Sequence, residues 1–367
     1  MNARSIKSLW YLLGIFFIYA VAAAAAFNEF YDRHSFGEAM PHASAEHIVN
    51  QTAARPFVYR QLIPVLIRAT GNILPDDFLS MRGVRFIFNA MKSRCEVSRV
   101  RCSGLDDPLW AKERLLLYYV CYAAFLASLF VMRSVCLNEG AAEWVATVVP
   151  LVFALMHALL QTVGGYFYDF TELLFLSLAV LATQRKNGLL TILVVALGTL
   201  NKESFIFFVP ALYPLLLRTH TTHRGRAIFA SSLIASVAIS LYIRYIYKNN
   251  SGGIVEYYLI ENISHLTRLS SYFLFEVRYG IPLPQGSNIF SLLLIAGIFA
   301  YGWKTLDAAW KRHIFYMSIV NSVVFLLFGF PGELRGFSLM YMCLIVTAAR
   351  MMPSGAERST PQTSALP

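Results

Sequence analysis

Long stretches with almost no charged side chain constrain this chain more than any other feature of its sequence. Segments 9–27, 115–132 and 313–330 are nearly free of charge and close to the length that crosses a lipid bilayer. Overall, 57% of the residues are hydrophobic and 14% are charged, whereas soluble globular domains carry about 25% charged residues. This imbalance excludes a water-soluble enzyme and a disordered chain. The sequence predicts a membrane protein that crosses the bilayer several times.

The apolar segments predict an all-α polytopic fold with about ten transmembrane or half-spanning helices in a single membrane domain, residues 1–367. Two of them, 188–200 and 204–217, are shorter than an ordinary span and are separated only by Asn201-Lys202-Glu203. A hairpin with a polar tip fits them best, and one long span with a buried ion pair is the alternative. The ten segments are 9–27, 115–132, 144–163, 171–183, 188–200, 204–217, 227–247, 288–303, 313–330 and 337–351.

The distribution of Lys and Arg predicts the orientation of these segments. Arg4 and Lys7 precede the first segment and place the N-terminus in the cytoplasm. Alternation then places both termini inside, with two loops, 28–112 and 248–287, in the periplasm of a bacterial inner membrane. We expect amphipathic interfacial helices in the first loop and a flexible cytoplasmic tail over 353–367. The formal net charge of +10 therefore indicates orientation, and we expect no nucleic-acid partner.

Two cysteines, Cys95 and Cys102, bracket a polar part of the first periplasmic loop. Because the periplasm is oxidising, they could form a disulfide, and free thiols are the alternative. Neither a CxxC spacing nor a cluster of histidines indicates a metal site here.

Acidic side chains follow the first apolar segment at Glu29, Asp32 and Glu38. A carboxylate at the mouth of a membrane cavity can have a raised pKa and accept a proton from a hydroxyl group. These residues are therefore candidate catalytic bases. The alternative is a solvated loop that happens to be acidic.

Spaced arginines distinguish the segment Arg55-Pro-Phe-Val-Tyr-Arg-Gln-Leu-Ile-Pro64. Its mixture of aliphatic and basic residues suits a helix lying in the membrane interface, where Arg60 can bind phosphate through two N–H groups. Tyr59 next to it is a candidate substrate-orienting residue. General attraction to anionic lipid headgroups is the alternative.

Two further acids, Asp169 and Glu172, lie at the outer end of a predicted span, three residues apart, and would share one face of a helix. They could orient a sugar, bind a cation or pair with Lys202. Anchoring of the neighbouring tyrosines at the interface is the simpler explanation of part of this segment.

The hairpin tip and the last outer turn each combine a cation with an acid. Lys202 is followed by Glu203, and Glu333 precedes Arg335 by two residues. The two cations could neutralise a phosphate leaving group while the acids keep them oriented. Two structural salt bridges are the alternative.

Taken together, these segments resemble the GT-C superfamily of polytopic glycosyltransferases, which use polyprenyl-phosphate-linked sugars. The resemblance rests on the long first outer loop that opens with acids, on the Arg-Pro-Phe-Val-Tyr-Arg segment, and on the short Asn-Lys-Glu and Glu-Leu-Arg motifs. It implies that Asp32 is the catalytic base, with Glu29 and Glu38 in reserve. The acids do not form the adjacent pair of several branches of the family, which leaves a divalent cation open and no cofactor certain.

The resemblance also implies the reaction. The sugar would pass from a polyprenyl-phosphate-linked donor to a glycan, lipid or protein acceptor at the periplasmic face, among membrane lipids. A surface polysaccharide polymerase or ligase, and a secondary transporter or lipid flippase, are the alternatives. The residues expected to bind the donor phosphate are Arg60, Lys202 and Arg335, and those expected to orient substrate are Tyr59, Asp169, Glu172, Glu203 and Glu333.

Overall fold

The computed structural model describes residues 3–38, 40–75, 77–97, 107–162 and 164–352. The predicted tail and Cys102, one half of the potential disulfide, lie outside them. The described chain is mostly helical, as predicted, apart from one short two-stranded antiparallel sheet. Its helices are α1 (Ala3–His34), α2 (Ala45–Val49), α3 (Leu62–Ile73), α4 (Arg82–Val97), α5 (Pro108–Asn138), α6 (Glu143–His157), α7 (Tyr168–Gln184), α8 (Gly188–Asn201), α9 (Val209–Thr219), α10 (Thr222–Ile246), α11 (Leu259–Thr267), α12 (Ile289–Gly302), α13 (Ala308–Phe328) and α14 (Tyr341–Met351).

Each of the ten apolar segments overlaps one of these helices. Four helical stretches in the described part of the chain are long and apolar enough to cross a membrane, which supports a membrane protein. The helices of the other segments are shorter or less apolar, so the number of true spans stays a prediction. The four stretches are Leu9–Gly37, Pro108–Asn138, Thr222–Ile246 and Leu334–Met351.

Polar residues at the helix starts explain several of these boundaries. Asp107 caps α5, where its carboxylate accepts the Leu109 N–H at 2.9 Å and Pro108 occupies the first helical position. Asp307 caps α13 in the same way by accepting the Trp310 N–H. A carboxylate here also complements the partial positive charge of the helix N-terminus.

Helices α8 and α9 run in opposite directions along α10. A Cβ on Gly188, the first residue of α8, would lie 2.5 Å from Ile228 Cδ1 near the start of α10. The ring of Tyr213 in α9 packs 5.0 Å from that of Phe229. The start of α8 and the end of α9 therefore lie beside the same end of α10, which places the polar tip between them at the opposite end of the bundle.

A second set of polar contacts joins the helix ends at the opposite end of the bundle from that tip. Arg218 pairs with Glu139 at 3.1 Å and with Asp307 at 2.9 Å. Glu139 also accepts from Gln184 at 2.7 Å, and its carbonyl accepts from Arg350. These contacts connect α5, α7, α9, α13 and α14, so the helix ends are held in register.

An aromatic core lies between α1, α5 and α7. The Phe170 ring packs 4.9 Å from Phe27, 4.6 Å from Phe30 and 5.2 Å from Phe125, measured between ring centroids. All four side chains are essentially buried. Because Phe170 follows Asp169 directly, this packing fixes the start of α7 and the acid it carries.

The loop between α11 and α12 contains the sheet, which the all-α prediction did not include. Strands β1 (Phe275–Arg278) and β2 (Ile281–Pro284) pair through a two-residue turn. Tyr279 and Gly280 both have positive φ, 53° and 79°. Two such residues match the twist of an antiparallel pair, which explains why a hairpin forms here.

Candidate functional site

A cavity of about 290 Å³ opens at the end of the bundle that holds the α8–α9 tip. Its wall combines charged and aromatic side chains from six parts of the chain. Three cations predicted to bind phosphate therefore reach one space although they are far apart in sequence. The polar and aromatic lining residues include Phe57, Arg60, Tyr166, Tyr168, Asp169, Lys202, Glu203, Ser204, Arg244, Glu256, Tyr258, Phe325, Phe328, Phe330, Glu333, Arg335 and Ser338.

Lys202 binds both acids at the start of α7. Its Nζ lies 2.7 Å from Glu172 and 3.3 Å from Asp169. Helix α8 ends at Asn201, whose side chain contacts Thr171, so Lys202 can turn toward α7. Of the three roles that the sequence leaves open for Asp169 and Glu172, the structure shows pairing with Lys202.

Arg335 links Asp169 to the turn between α13 and α14. Its guanidinium lies 3.1 Å from Asp169 and 3.1 Å from Glu333. Glu333 also accepts the Gly164 N–H at 3.3 Å, and the Tyr166 N–H donates to Asp169 at 3.0 Å. The loop before α7 thus orients the two carboxylates that hold Arg335.

Arg60 binds Glu203 through two N–H groups, at 3.2 and 3.0 Å, and also donates to the Tyr168 hydroxyl. Its guanidinium lies over the Tyr168 ring, 4.3 Å from the centroid, and Arg335 lies 5.0 Å from the Tyr166 ring. The two tyrosine rings stack 5.0 Å apart and nearly parallel. The two cations and the two rings therefore form one series in the wall of the cavity, in the order Arg60, Tyr168, Tyr166 and Arg335.

The surroundings of the cavity acids shift their pKa values in different directions. Burial would raise the pKa of Asp169, but Arg335 and Lys202 outweigh it and lower that pKa to about 2. At Glu203 burial would also raise the pKa, but Arg60 outweighs it and holds that pKa below its usual value. At Glu333 burial dominates and raises the pKa, although Arg335 opposes it. Of these three acids, Glu333 is therefore the one that most readily takes up a proton.

The three acids expected to supply the catalytic base do not line the cavity. Helix α1 continues through His34, so Glu29 and Asp32 lie on its last turns and not in a loop. Asp32 is exposed and accepts a hydrogen bond from Asn28 at 2.9 Å, and Glu29 lies 3.5 Å from Arg278.

Glu38 has a structural position instead. It forms an ion pair with Arg114, and both side chains are almost fully buried. Arg114 also donates to the Tyr31 hydroxyl at 3.0 Å. This contact joins the segment after α1 to α5. No sequence pattern predicts it, because the two residues are 76 positions apart.

Two predicted substrate-orienting residues lie behind the cavity wall. Tyr59 is buried and lines a separate small space next to Glu203. Glu172 is buried behind Lys202 and accepts from Ser338 Oγ at 3.0 Å. Both therefore act on the cavity only through a neighbour.

Arg244, Glu256 and Tyr258 line the cavity and were not among the site residues predicted from the sequence. Arg244, on the last turn of α10, is exposed and forms no ion pair within the described part of the chain. Glu256 and Tyr258 come from the loop after α10, and the Tyr258 hydroxyl donates to Glu256 at 2.9 Å. The only sequence signal was an acid beside two tyrosines in a predicted outer loop.

No group of three or more His, Cys, Asp or Glu side chains within the described ranges has the arrangement of a metal site. The cavity acids are instead arranged around Arg and Lys side chains. Comparison with protein families, with curated proteins and with solved structures finds no match. The resemblance to GT-C enzymes therefore stays a prediction, and functional reasoning depends on the cavity itself.

Proposed function

We propose that the protein is a membrane glycosyltransferase that moves a sugar from a polyprenyl-phosphate-linked donor to a hydroxyl-bearing glycan, lipid or protein. The observation that carries this proposal is the meeting of Arg60, Lys202 and Arg335 at one cavity. A donor of this class presents a charged phosphate, a polar sugar and an apolar chain together. The cavity offers a matching surface for each part.

The cations retain hydrogen-bonding capacity for a phosphate. Arg335 has five N–H groups and uses two of them in its ion pairs, and Lys202 uses two of its three. Arg244 adds a guanidinium that no described acid neutralises. A phosphate can therefore bind without first breaking the pairs that hold the cavity together.

Part of the cavity wall is apolar. It consists of Ile254 and Val255 from the outer loop and of Val324, Phe325 and Phe328 from the last turns of α13. Burying a CH₂ group gains about 0.8 kcal/mol, so several prenyl carbons would add appreciably to the affinity for the phosphate. The pairing of cations with apolar side chains favours a lipid phosphate over a free phosphate.

The proposal places this cavity at the periplasmic face of a bacterial inner membrane, with both termini in the cytoplasm. The basic loops predicted to lie inside come at the helix ends away from the hairpin tip, where Arg218 and Arg350 lie. The cavity is at the opposite end. Donor and acceptor would therefore meet outside the cytoplasm, where no nucleotide sugar is present.

Binding of farnesyl phosphate to the purified full-length protein tests the donor site. Farnesol, which lacks the phosphate, should bind at least about 10-fold more weakly if the cations contribute 1.4 kcal/mol or more. The R244A variant should lose part of that difference, because it removes a cavity cation that has no structural ion pair and leaves Arg60, Lys202 and Arg335 in place. The matched control R268A removes an exposed cation of the outer loop that does not line the cavity.

Turnover separates the proposed transferase from its alternatives. Proteoliposomes that contain a polyprenyl-phosphate-linked sugar and a membrane extract as acceptor should release polyprenyl phosphate as the sugar is transferred. A transporter would move the lipid or another solute without breaking the sugar–phosphate bond. Equal binding of farnesol and farnesyl phosphate, with no release of polyprenyl phosphate, would refute the transferase.

A further inference from the structure

Glu256 differs from the other acids that line the cavity. Asp169, Glu203 and Glu333 each lie within 3.3 Å of an Arg or Lys nitrogen. Among the described residues Glu256 has no such cation within 4.0 Å, and its one hydrogen bond comes from the Tyr258 hydroxyl. The cations occupy lone pairs of those three carboxylates, whereas Glu256 keeps lone pairs available for the proton of a bound hydroxyl group.

The loop that carries Glu256 is fastened to the first outer loop. Asn250 donates from its side chain to the carbonyls of Gln51 and Ala53, both at 3.0 Å, and the Arg55 guanidinium donates to the Gly252 carbonyl at 2.7 Å. Gly252 has a φ of +85°, and a Cβ there would lie 2.6 Å from the Arg55 carbonyl. Only glycine allows this close approach.

The other side of the loop is held by α13. The Tyr258 N–H donates to the Leu327 carbonyl at 2.9 Å, and its ring packs 4.7 Å from the Phe330 ring. Tyr258 in turn orients Glu256 through its hydroxyl. The Glu256 carboxylate is therefore held at the cavity from both directions, and Arg60 and Lys202 line the same cavity.

We propose that Glu256 is the catalytic base of the transfer, an assignment that rests on the proposed function. Its carboxylate takes the proton of the acceptor hydroxyl while the hydroxyl oxygen forms a bond to the anomeric carbon of the donor sugar. The bond from that carbon to the phosphate oxygen breaks, and its electron pair leaves with the polyprenyl phosphate toward the cations. Atoms and charges balance without a metal or a redox partner.

The assignment also defines the acceptor side of the cavity. An acceptor must present its hydroxyl between the Glu256–Tyr258 pair and the donor phosphate, so it approaches past the outer loop. Tyr258 is a positioning residue, because it acts through Glu256. Removing its hydroxyl should slow transfer less than removing the base.

The E256Q variant of the full-length protein tests the assignment in the proteoliposome assay, with farnesyl phosphate binding measured in parallel. Transfer should fall by about 100-fold or more, the usual contribution of a positioned base, while the Kd for farnesyl phosphate stays within about twofold of wild type. Y258F should show a smaller loss of transfer with the same Kd. The matched control E261Q changes an exposed acid on α11 outside the cavity and should behave as wild type.

Each result has a distinct meaning. Transfer by E256Q at the wild-type rate overturns the assignment and leaves the proposed function standing. Loss of farnesyl phosphate binding together with transfer also overturns it, because Glu256 would then support the fold or the donor site. Failure of the wild-type protein to bind farnesyl phosphate or to release polyprenyl phosphate is a failure of the proposed function itself.

Discussion

Protonation of Glu333 should control how tightly the cavity binds a phosphodiester. Burial raises the pKa of this acid, and its carboxylate lies 3.1 Å from the Arg335 guanidinium. A phosphate bound to another N–H of Arg335 would lie about 7 Å from that carboxylate, judging from ordinary hydrogen-bond lengths. At an effective dielectric constant of about 20, the repulsion between the two negative charges is about 2 kcal/mol, or about 30-fold in affinity.

The sign of the pH dependence follows from linkage. Below the raised pKa the Glu333 carboxyl is neutral and affinity is highest, and binding of the anion favours the protonated form further. As the pH rises through that pKa, affinity should fall by up to about 30-fold and then level off. The E333Q variant cannot ionise and should keep the high affinity throughout.

Farnesyl methyl phosphate is the suitable ligand for this measurement, because a diester keeps a single charge as the pH changes. Its Kd would be measured from acid to neutral pH for wild type, E333Q and the control E261Q. A wild-type affinity that is flat or rises with pH would contradict the reasoning. So would an E333Q variant that follows the wild-type curve.

Three further changes distinguish structural from functional acids and test the packing next to the cavity. E38A should lower the free energy of unfolding by about 3–5 kcal/mol, because it leaves Arg114 charged and buried without this ion-pair partner. Thermal unfolding in detergent measures the change, and a variant as stable as wild type would contradict the expectation. G165A should lower the free energy of unfolding by about 1–3 kcal/mol in the same assay, because its Cβ would clash with Phe30 Cε2. An unchanged unfolding midpoint would show that α1 can move away. D32N should keep sugar transfer within about twofold of wild type in the proteoliposome assay, because Asp32 does not line the cavity; abolished transfer would return the base to Asp32.

The helical class and the meeting of the cations could be predicted from the sequence. Charge-free segments of known length indicate helices, and their alternation brings loops such as those of Arg60, Lys202 and Arg335 to one end. The position of Asp32 could not be predicted in this way. No glycine or proline interrupts the chain between Phe27 and His34, and acids alone do not end a helix, so α1 continues past the predicted exit.

Glu256 and Arg244 illustrate a second limit. Neither belongs to a recognisable motif, and each lines the cavity only through tertiary packing, Arg244 from the last turn of α10 and Glu256 from the loop after it. The hydrogen bonds from Asn250 to 51–53 join residues almost 200 positions apart. A spacing pattern within one segment contains no information about such a contact.

The contact between segments 51–55 and 250–252 has a consequence for engineering. Grafting the corresponding loop of another protein in place of 250–258 would leave the carbonyls of Gln51 and Ala53 without the Asn250 side chain that satisfies them. The recipient would need 51–56 from the same source. Acceptor preference should therefore be exchangeable between proteins of this architecture only when both segments are transplanted as one cassette.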